Sequence, residues 1–134
     1  MIRGAPMTAW TDVELGRIGD AQELQLASER PDGTLRGYVT MWTVRTGDEL
    51  YVRSAHGADN PWFRRAKASR VGRVRAGGLE RDVTFAEVAP GVQFDIDAAY
   101  HAKYDRYGPE IVGTVVGSQA HDVTIRLVPR STSS

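Results

Sequence analysis

Hydrophobic residues along this chain follow two different periods, and the period predicts the secondary structure of each segment. Alternation of apolar and polar residues is typical of a strand, whereas apolar residues that recur every three or four positions are typical of a helix. Alternating or β-branched runs bounded by turn residues predict six short strands. These strands are expected at residues 23–28, 35–45, 50–54, 72–76, 79–88 and 122–128.

Helices are predicted where apolar residues recur at the longer period behind a capping signal. Thr11 followed by Glu14 matches a capping box and begins a short N-terminal helix. Asn60 as the N-cap and Pro61 as the first helical residue begin a second helix, which ends near Ser69. The first two helices therefore have recognisable beginnings in the sequence.

Two later segments are less uniform in their pattern. Residues 95–107 predict a helix with Tyr100, Tyr104 and Tyr107 on one face. That tyrosine stripe is interpreted first as a packing surface, within the chain or against a second subunit, and second as a wall for an aromatic ligand. Residues 110–116 fit either a helix or a β-branched strand, and a helix is favoured.

The strand predicted at residues 35–45 carries apolar residues on both faces, with Val39 and Met41 on one side and Trp42 and Val44 on the other. A strand buried on both sides is typical of a closed or partly closed barrel with a second layer. Because the strands come in hairpins without a βαβ rhythm, the predicted fold is mainly β, a six-stranded barrel with peripheral helices. We expect one domain over residues 1–134, with flexible ends at residues 1–10 and 130–134.

Charge is balanced overall but not locally. The 134 residues include 17 Lys+Arg and 17 Asp+Glu, so the formal net charge is zero. Residues 62–81 carry seven basic residues against Glu80 alone, whereas residues 82–110 carry six acids against two bases. This balance suits one small phosphate better than a long polyanion, so nucleic-acid binding is disfavoured. Pairing of the basic residues with the acidic segment, or their solvation, is the favoured alternative.

The absence of cysteine excludes a disulfide scaffold, a thiolate zinc site, an iron–sulfur cluster and a thiol nucleophile. The sequence also has no nucleophile-elbow motif and no closely spaced histidine pair, so we expect no metal site and predict that any catalysis uses a bound organic cofactor. The first ten residues resemble neither a signal peptide nor a transit peptide, and no apolar run has the length of a membrane span. A cytoplasmic location is expected.

The strongest local candidate for a binding site is the segment 51–67. It runs from a strand end through a loop of small residues into a helix N-terminus that is followed by basic residues. Free N–H groups at a helix N-terminus attract phosphate, small residues let it approach the backbone, and Arg53 and His56 are suited to close on it. The alternative is an ordinary surface turn before a well-capped helix, because no recognised phosphate-loop motif is present.

One histidine is a candidate for proton transfer. His101 lies four residues from both Asp97 and Asp105 on the predicted helix, a spacing that places all three on one face. A carboxylate in that position can orient an imidazole for acid–base work. A solvated polar face is the favoured interpretation.

The order of these segments resembles flavin- and deazaflavin-binding split-barrel proteins, including those like pyridoxamine phosphate oxidase. Residues 50–88, which contain LYVRSAHG, NPWFRRAKAS and GRVRAGG, look like the corresponding stretch of deazaflavin-dependent nitroreductases. A fuller resemblance, which extends through AYHAKYDRYGP and IVGTVVG, is to an uncharacterised bacterial family in the same superfamily.

The resemblance implies a homodimer with FMN or a deazaflavin in a groove at or near the subunit interface. It also implies a set of cofactor-binding residues on the loop, the following helix and the strand that lines the groove. These residues are Arg36, Thr40, Arg53, Ser54, His56, Gly57, Trp62, Arg64 and Arg65. No catalytic residue is assigned.

Two functions follow from this interpretation. The first is an oxidoreductase in which the bound flavin or deazaflavin transfers a hydride. The alternative is a dimeric split-barrel module that has lost the cofactor and binds another small anionic or aromatic ligand.

Overall fold

The computed structural model describes residues 9–55 and 57–130, which form one curled antiparallel sheet with helices around it. The strands are β1 (Leu24–Ser28), β2 (Val39–Met41), β3 (Val44–Thr46), β4 (Glu49–Arg53), β5 (Val71–Ala76), β6 (Leu79–Ala86) and β7 (Thr124–Pro129). The helices are α1 (Asp12–Gly19), α2 (Pro61–Ser69), α3 (Gln93–Tyr104), α4 (Pro109–Val112) and α5 (Ser118–His121). The fold is mainly β and split-barrel-like, as the sequence predicts.

The connectivity requires the sheet to curl. Its strand order is β2-β1-β5-β6-β7-β4-β3, with every pair antiparallel. Strands β2 and β3 lie at opposite edges of this order, yet Trp42 and Thr43 alone separate them in the sequence. The three backbone steps from Met41 to Val44 span at most about 11 Å, so the two edges must approach each other.

The prediction of one continuous strand over residues 35–45 is wrong, and the strand count rises from six to seven for this reason. The strand is interrupted at Trp42 and Thr43, which belong to neither ladder. The Tyr104 hydroxyl accepts from the Thr43 N–H at 3.2 Å, and the Lys103 ammonium donates to the Thr43 carbonyl at 2.7 Å. Since α3 satisfies these buried groups, the Thr43 backbone needs no strand partner.

The helix predictions are confirmed in part. The capping box of Thr11 and Glu14 is present at α1, and α2 begins at Pro61, although the Asn60 side chain makes no capping hydrogen bond. The helix predicted at residues 95–107 begins earlier, as α3, and ends in a 3₁₀ turn (Asp105–Tyr107).

The helix favoured for residues 110–116 is confirmed only for residues 110–112, which lie in α4; residues 113–116 form turns and bends. Helix α5 was not predicted from the sequence, because four residues carry too little periodicity to be recognised.

The two ends of the described chain are held in place. Residues 1–8 and 131–134, which include most of the predicted flexible ends, lie outside the described residues. Trp10, which was assigned to a flexible end, is buried and donates from Nε1 to the Leu127 carbonyl at 2.9 Å. The Arg130 N–H donates to the Asp82 carbonyl at 2.9 Å, so this residue also continues the ordered fold.

The core lies on both faces of the curled sheet. One cluster fills the barrel and packs α1 and α2 against it, through Leu15 and Phe63 among others. A second cluster packs α3 against the outer face of β3 and β4. The sequence predicted burial of residues 35–45 on both sides, which fits Val44 but not Val39, whose exposed fraction is 36%.

The tyrosine stripe belongs to this second cluster. Tyr100 and Tyr104 are fully buried within the chain, and Tyr104 stacks on Trp42 with ring centroids 4.0 Å apart. The suggested packing against a second subunit is therefore wrong for these two residues. Tyr107, in the 3₁₀ turn, remains partly exposed.

Gly72 marks the tightest point of the sheet and leads to a stability prediction. A Cβ at this position would overlap the Ala27 carbonyl oxygen and would stand 2.8 Å from the Phe85 ring. Because the Ala27 backbone is fixed in the sheet, Gly72→Ala is expected to lower the free energy of unfolding by about 2–3 kcal/mol. Chemical denaturation measures this change.

A matched control is available in α1. Gly16 has no atom within 4 Å of an added Cβ, so Gly16→Ala should raise the free energy of unfolding by about 0.5–1 kcal/mol through helix propensity. Equal effects of the two substitutions would contradict the assigned close approach at Gly72.

Candidate functional site

The N-terminus of α2 lies between two grooves, one lined by arginines and the other mainly by apolar residues. We call the first the basic groove, which has a volume of about 870 Å³. Its lining comes from α2, the β1–β2 connection and the start of β5. These residues are Glu29, Arg30, Pro31, Arg36, Pro61, Arg64, Arg65, Ala68, Ser69 and Val71.

Helical spacing explains how α2 lines this groove while it also packs on the barrel. Trp62, Phe63 and Ala66 are buried and form one face of the helix. Arg64 and Arg65 are exposed and lie on a different face, on which residues recur at intervals of three and four. The apolar face fixes the helix, and the basic face is thereby presented to the groove.

We call the second the apolar groove, which has a volume of about 500 Å³. Its walls are β2, the loop after β4, the start of α2 and the segment around α4. The lining residues are Val39, Thr40, Met41, Trp42, Arg53, Ala55, Asn60, Trp62, Glu110, Ile111, Thr114 and Val115. Ile111 is 53% exposed at this groove, so apolar surface reaches solvent here.

The structure divides the predicted site residues between the two grooves. Arg36, Arg64 and Arg65 line the basic groove, whereas Thr40 and Trp62 line the apolar groove. The two sets meet where Pro61 faces one groove and Asn60 the other.

The loop after β4 is fixed by its own contacts. The Ser54 hydroxyl donates to the Gly57 carbonyl at 2.6 Å, and Gly57 has a φ of 86°, which favours glycine. These two predicted residues therefore shape the loop. His56, which was also predicted to bind cofactor, lies outside the described residues.

Arg53 is held inside the protein by acceptors of the chain itself. Its side chain is 0% exposed, and Nη1 forms an ion pair with Asp97 and donates to the Val115 carbonyl at 2.8 Å. Nη2 donates to Gln93 Oε1 at 2.8 Å, and Nε donates to Thr124 Oγ1 at 2.9 Å. A guanidinium whose three nitrogens are all engaged is not free to bind a phosphate, so the predicted role of Arg53 as a phosphate ligand does not fit this geometry.

Asp97 connects Arg53 to a histidine. His121 Nε2 lies 3.0 Å from Asp97 Oδ2, while the other carboxylate oxygen pairs with Arg53. Burial alone would raise the pKa of Asp97, but hydrogen bonds from His121 and Arg53 outweigh it and lower the pKa below its usual value. Asp97 therefore stays ionised and holds β4, α3 and α5 together.

This network was not predicted from the sequence, which placed Asp97 beside His101. His101 instead contacts Asp105, with Nδ1 and Oδ1 2.8 Å apart, and both side chains are more than half exposed. The i,i+4 spacing identified that exposed pair correctly, whereas the His121–Asp97 pair joins residues 24 positions apart, for which no local pattern exists.

The basic segment 62–81 is largely neutralised on its strand. Arg73 pairs with Asp82 and Arg75 with Glu80, each at 2.7 Å across the β5–β6 hairpin. The Arg73 pair is the predicted pairing with the acidic segment. Within this segment, the basic residues that lack a carboxylate partner among the described residues lie on α2 and at its C-terminal end.

Two other kinds of site are absent from the described residues. Across residues 9–55 and 57–130, no group of three or more His, Asp or Glu side chains is arranged to hold a metal ion. In the same residues, no helix has the length and apolar character needed to cross a membrane.

Asp97→Asn tests the buried network. Removing one partner of a buried ion pair costs about 3–5 kcal/mol, so we expect the free energy of unfolding at pH 7 to fall by about 3 kcal/mol. The folded-state pKa of Asp97 is lowered, so its contribution is present above the unfolded pKa and is lost as the pH falls through the folded value. The difference between wild type and variant should therefore shrink at acidic pH.

The control for this measurement is Asp95→Asn, an exposed position in the first turn of the same helix. It should change the free energy of unfolding by no more than about 0.5 kcal/mol. A pH-independent difference between wild type and Asp97→Asn would exclude the assigned ion pair.

Comparison with solved structures shows which folds are similar. A protein described as a domain-swapped dimer matches with a TM-score of 0.59 and 18% identity over 81% of each chain. A putative pyridoxamine 5'-phosphate oxidase from Listeria innocua matches with a TM-score of 0.59 and 18% identity over 90% of this chain and 93% of its own. An F420-H2 dependent reductase (FDR-A) matches with a TM-score of 0.58 and 17% identity over 80% of this chain and 93% of its own. These identities show a shared fold alone.

Sequence comparison gives the family. No curated protein matches the chain. A family model described as "Uncharacterized protein conserved in bacteria (DUF2255)" matches residues 14–127, which is most of the chain. The protein therefore belongs to this bacterial family, and its fold is split-barrel-like.

Proposed function

We propose that this protein binds a flavin or deazaflavin across the two grooves and acts as an oxidoreductase through that cofactor. The observation that supports the proposal is the meeting of an apolar groove and a basic groove at the N-terminus of α2. Such a site suits a ligand with a flat ring system at one end and an anionic group at the other. The similar fold of an F420-H2 dependent reductase and a putative pyridoxamine 5'-phosphate oxidase supports the same choice.

The apolar groove fits a ring system. Its volume of about 500 Å³ is within the usual range for small-molecule sites. Trp62 and Met41 offer apolar surface for a ring, and Thr40 and Asn60 offer hydrogen bonds to its edge. A few polar groups in an apolar wall are what fixes the orientation of a bound ring.

The basic groove and the helix N-terminus fit an anionic group. Among the described residues the Trp62 N–H has no hydrogen-bond partner, because the Asn60 side chain does not cap the helix. The Nε of Arg36 is buried, and within the described part of the chain it has no partner either. An anion at the helix N-terminus would accept from the Trp62 N–H, and an anion in the basic groove would accept from Arg36.

The residues of the two grooves have different roles in this proposal. A bound flavin or deazaflavin supplies hydride transfer, and this chain binds it, orients its ring and keeps water from the ring face. Arg36, Arg64 and Arg65 hold the anionic end, while Thr40 and Trp62 line the ring site.

The groove geometry also favours a homodimer. Ile111 and Val39 leave apolar surface exposed at the apolar groove, with residue exposures of 53% and 36%. A second copy that covers this surface would close the ring site from solvent. One structure of similar fold is described as a domain-swapped dimer.

Cofactor binding is tested by titrating FMN and, separately, a deazaflavin into the protein and recording visible absorption. We expect at least one of them to bind with a dissociation constant below about 1 mM. Arg64→Ala with Arg65→Ala should weaken that binding about tenfold or more, because each removes a charge-assisted contact to the anionic end. Thr40→Trp should abolish it by filling the apolar groove.

Lys67→Ala is the matched control, because Lys67 is exposed on α2 but does not line the basic groove. Its affinity should equal that of the wild type. If neither cofactor binds below about 1 mM, the proposal fails and the alternative function, a cofactor-free module for another ligand, takes its place.

The dimer is tested by light scattering, which should give twice the chain mass of 14.7 kDa. Ile111→Asp should produce a monomer, since it places charge in the apolar contact. Val13→Asp, at a residue of α1 that is 66% exposed, should leave the dimer intact. A monomeric wild-type protein would refute the proposed dimer.

A further inference from the structure

We propose that His121 is a positioning residue for the apolar groove and that its protonation tightens the binding of a ring there. The inference deepens the proposed function and rests on it for the identity of the ring. Neither His121 nor its partner Asp97 is among the residues that line the two grooves. The effect therefore reaches the apolar groove through the Arg53 network.

His121 is held against α3 by contacts of its backbone and of its ring. Gln93 Nε2 donates to the His121 carbonyl at 3.1 Å, and the Phe94 ring stands perpendicular to the imidazole with ring centroids 5.3 Å apart. His121 Nε2 lies 3.0 Å from Asp97 Oδ2. Since an ionised carboxylate only accepts hydrogen bonds, Nε2 carries a proton in this contact. The imidazole is therefore a fixed donor to Asp97.

Asp97 connects this donor to the wall of the apolar groove. Its other oxygen, Oδ1, pairs with Arg53 Nη1 and accepts from the Gly117 N–H at 3.4 Å. The same Nη1 donates to the carbonyl of Val115, which lines the groove, at 2.8 Å. Both ends of the segment 115–117 are thus held through one carboxylate, so the orientation of that carboxylate sets the position of this wall.

A charge on His121 strengthens the contact that orients the carboxylate. A neutral imidazole offers Asp97 a hydrogen bond, whereas an imidazolium adds the attraction of an opposite charge at the same distance of 3.0 Å. Both side chains are less than a fifth exposed, so solvent screens this attraction only in part. A wall that is already held in place costs less to order when a ligand binds. We therefore expect a ring to bind more tightly when His121 is charged.

The charged groups that face His121 come from α3 and, beyond it, from β4. Asp97 is in direct contact, and the guanidinium of Arg53 lies on the far side of that carboxylate. Asp95 on α3 and Asp122, the next residue of the chain, are exposed. Burial alone would raise the pKa of Asp97, but hydrogen bonds from His121 and Arg53 lower it, so this carboxylate stays charged in mild acid. The network contains one histidine, the side-chain type whose charge changes between about pH 5 and 8.

The test measures riboflavin binding by fluorescence quenching at about pH 5.5 and about pH 8. Riboflavin has the flavin ring without a phosphate, and its ring stays uncharged over this range. The wild type is expected to bind it about fivefold tighter at the lower pH. His121→Asn keeps a neutral N–H donor and should bind at both pH values as the wild type does at the higher one. His121→Leu removes the donor to Asp97 and should bind about fivefold weaker than that at both.

His101→Asn is the matched control, because His101 is more than half exposed and contacts Asp105 instead of the network. It should keep the full dependence on pH. Equal affinity of the wild type at both pH values would overturn the inference. A dependence on pH that persists in His121→Asn, or that disappears in His101→Asn, would overturn it as well, and His56→Asn then shows whether the remaining histidine is responsible.

Hydrogen exchange separates this inference from the proposed function. Protection of the backbone amides at residues 113–117, corrected for the intrinsic rate at each pH, should be about fivefold higher at the lower pH in the wild type and independent of pH in His121→Asn. This pattern without binding of riboflavin, FMN or a deazaflavin would refute the proposed function while the positioning role of His121 stands. Ring binding and amide protection that are both independent of pH would refute this inference alone.

Discussion

The buried guanidinium of Arg53 is the interaction on which the arrangement of the site depends. It extends from the end of β4 and donates to groups on α3, on β7 and on the segment that follows α4. The Val115 carbonyl, one of its acceptors, belongs to a residue that lines the apolar groove. A buried cation must keep its acceptors in place, because losing one leaves an uncompensated charge. The position of this groove wall is therefore set by charge satisfaction and not only by apolar packing.

The break in the strand at Thr43 also depends on α3. Tyr104 and Lys103 satisfy the backbone of Thr43 where the chain passes from one edge of the sheet to the other. Burial raises the pKa of Tyr104 to about 12, so its hydroxyl keeps the proton that it shares with the carbonyls of Gln22 and Thr43. One helix thus both allows the sheet to curl and supplies Asp97 to the Arg53 network.

Local patterns in the sequence predicted local structure. They could not predict contacts between residues that are far apart along the chain. The capping box at Thr11 and the hairpin turn after β5 depend on residues a few positions apart, and both are present. The split of residues 35–45 depends on Tyr104, about 60 residues away, and the pairing of Asp97 with Arg53 spans 44. The resemblance identified Arg36, Arg64 and Arg65, which do face one groove, but sequence position could not show that the acceptors around Arg53 already occupy it.

Ion pairs within the fold account for part of the balance between positive and negative charge in the chain. Arg53, Arg73 and Arg81 are each paired with a carboxylate, and these pairs join separate elements. The arginines of the basic groove belong to a different class, since none has a carboxylate partner in the described part of the chain. Clustered like charges repel and destabilise the folded state unless an anion compensates them. Four such groups around one groove repel one another, whereas the arginines of β4, β5 and β6 are each balanced by a carboxylate of the chain itself.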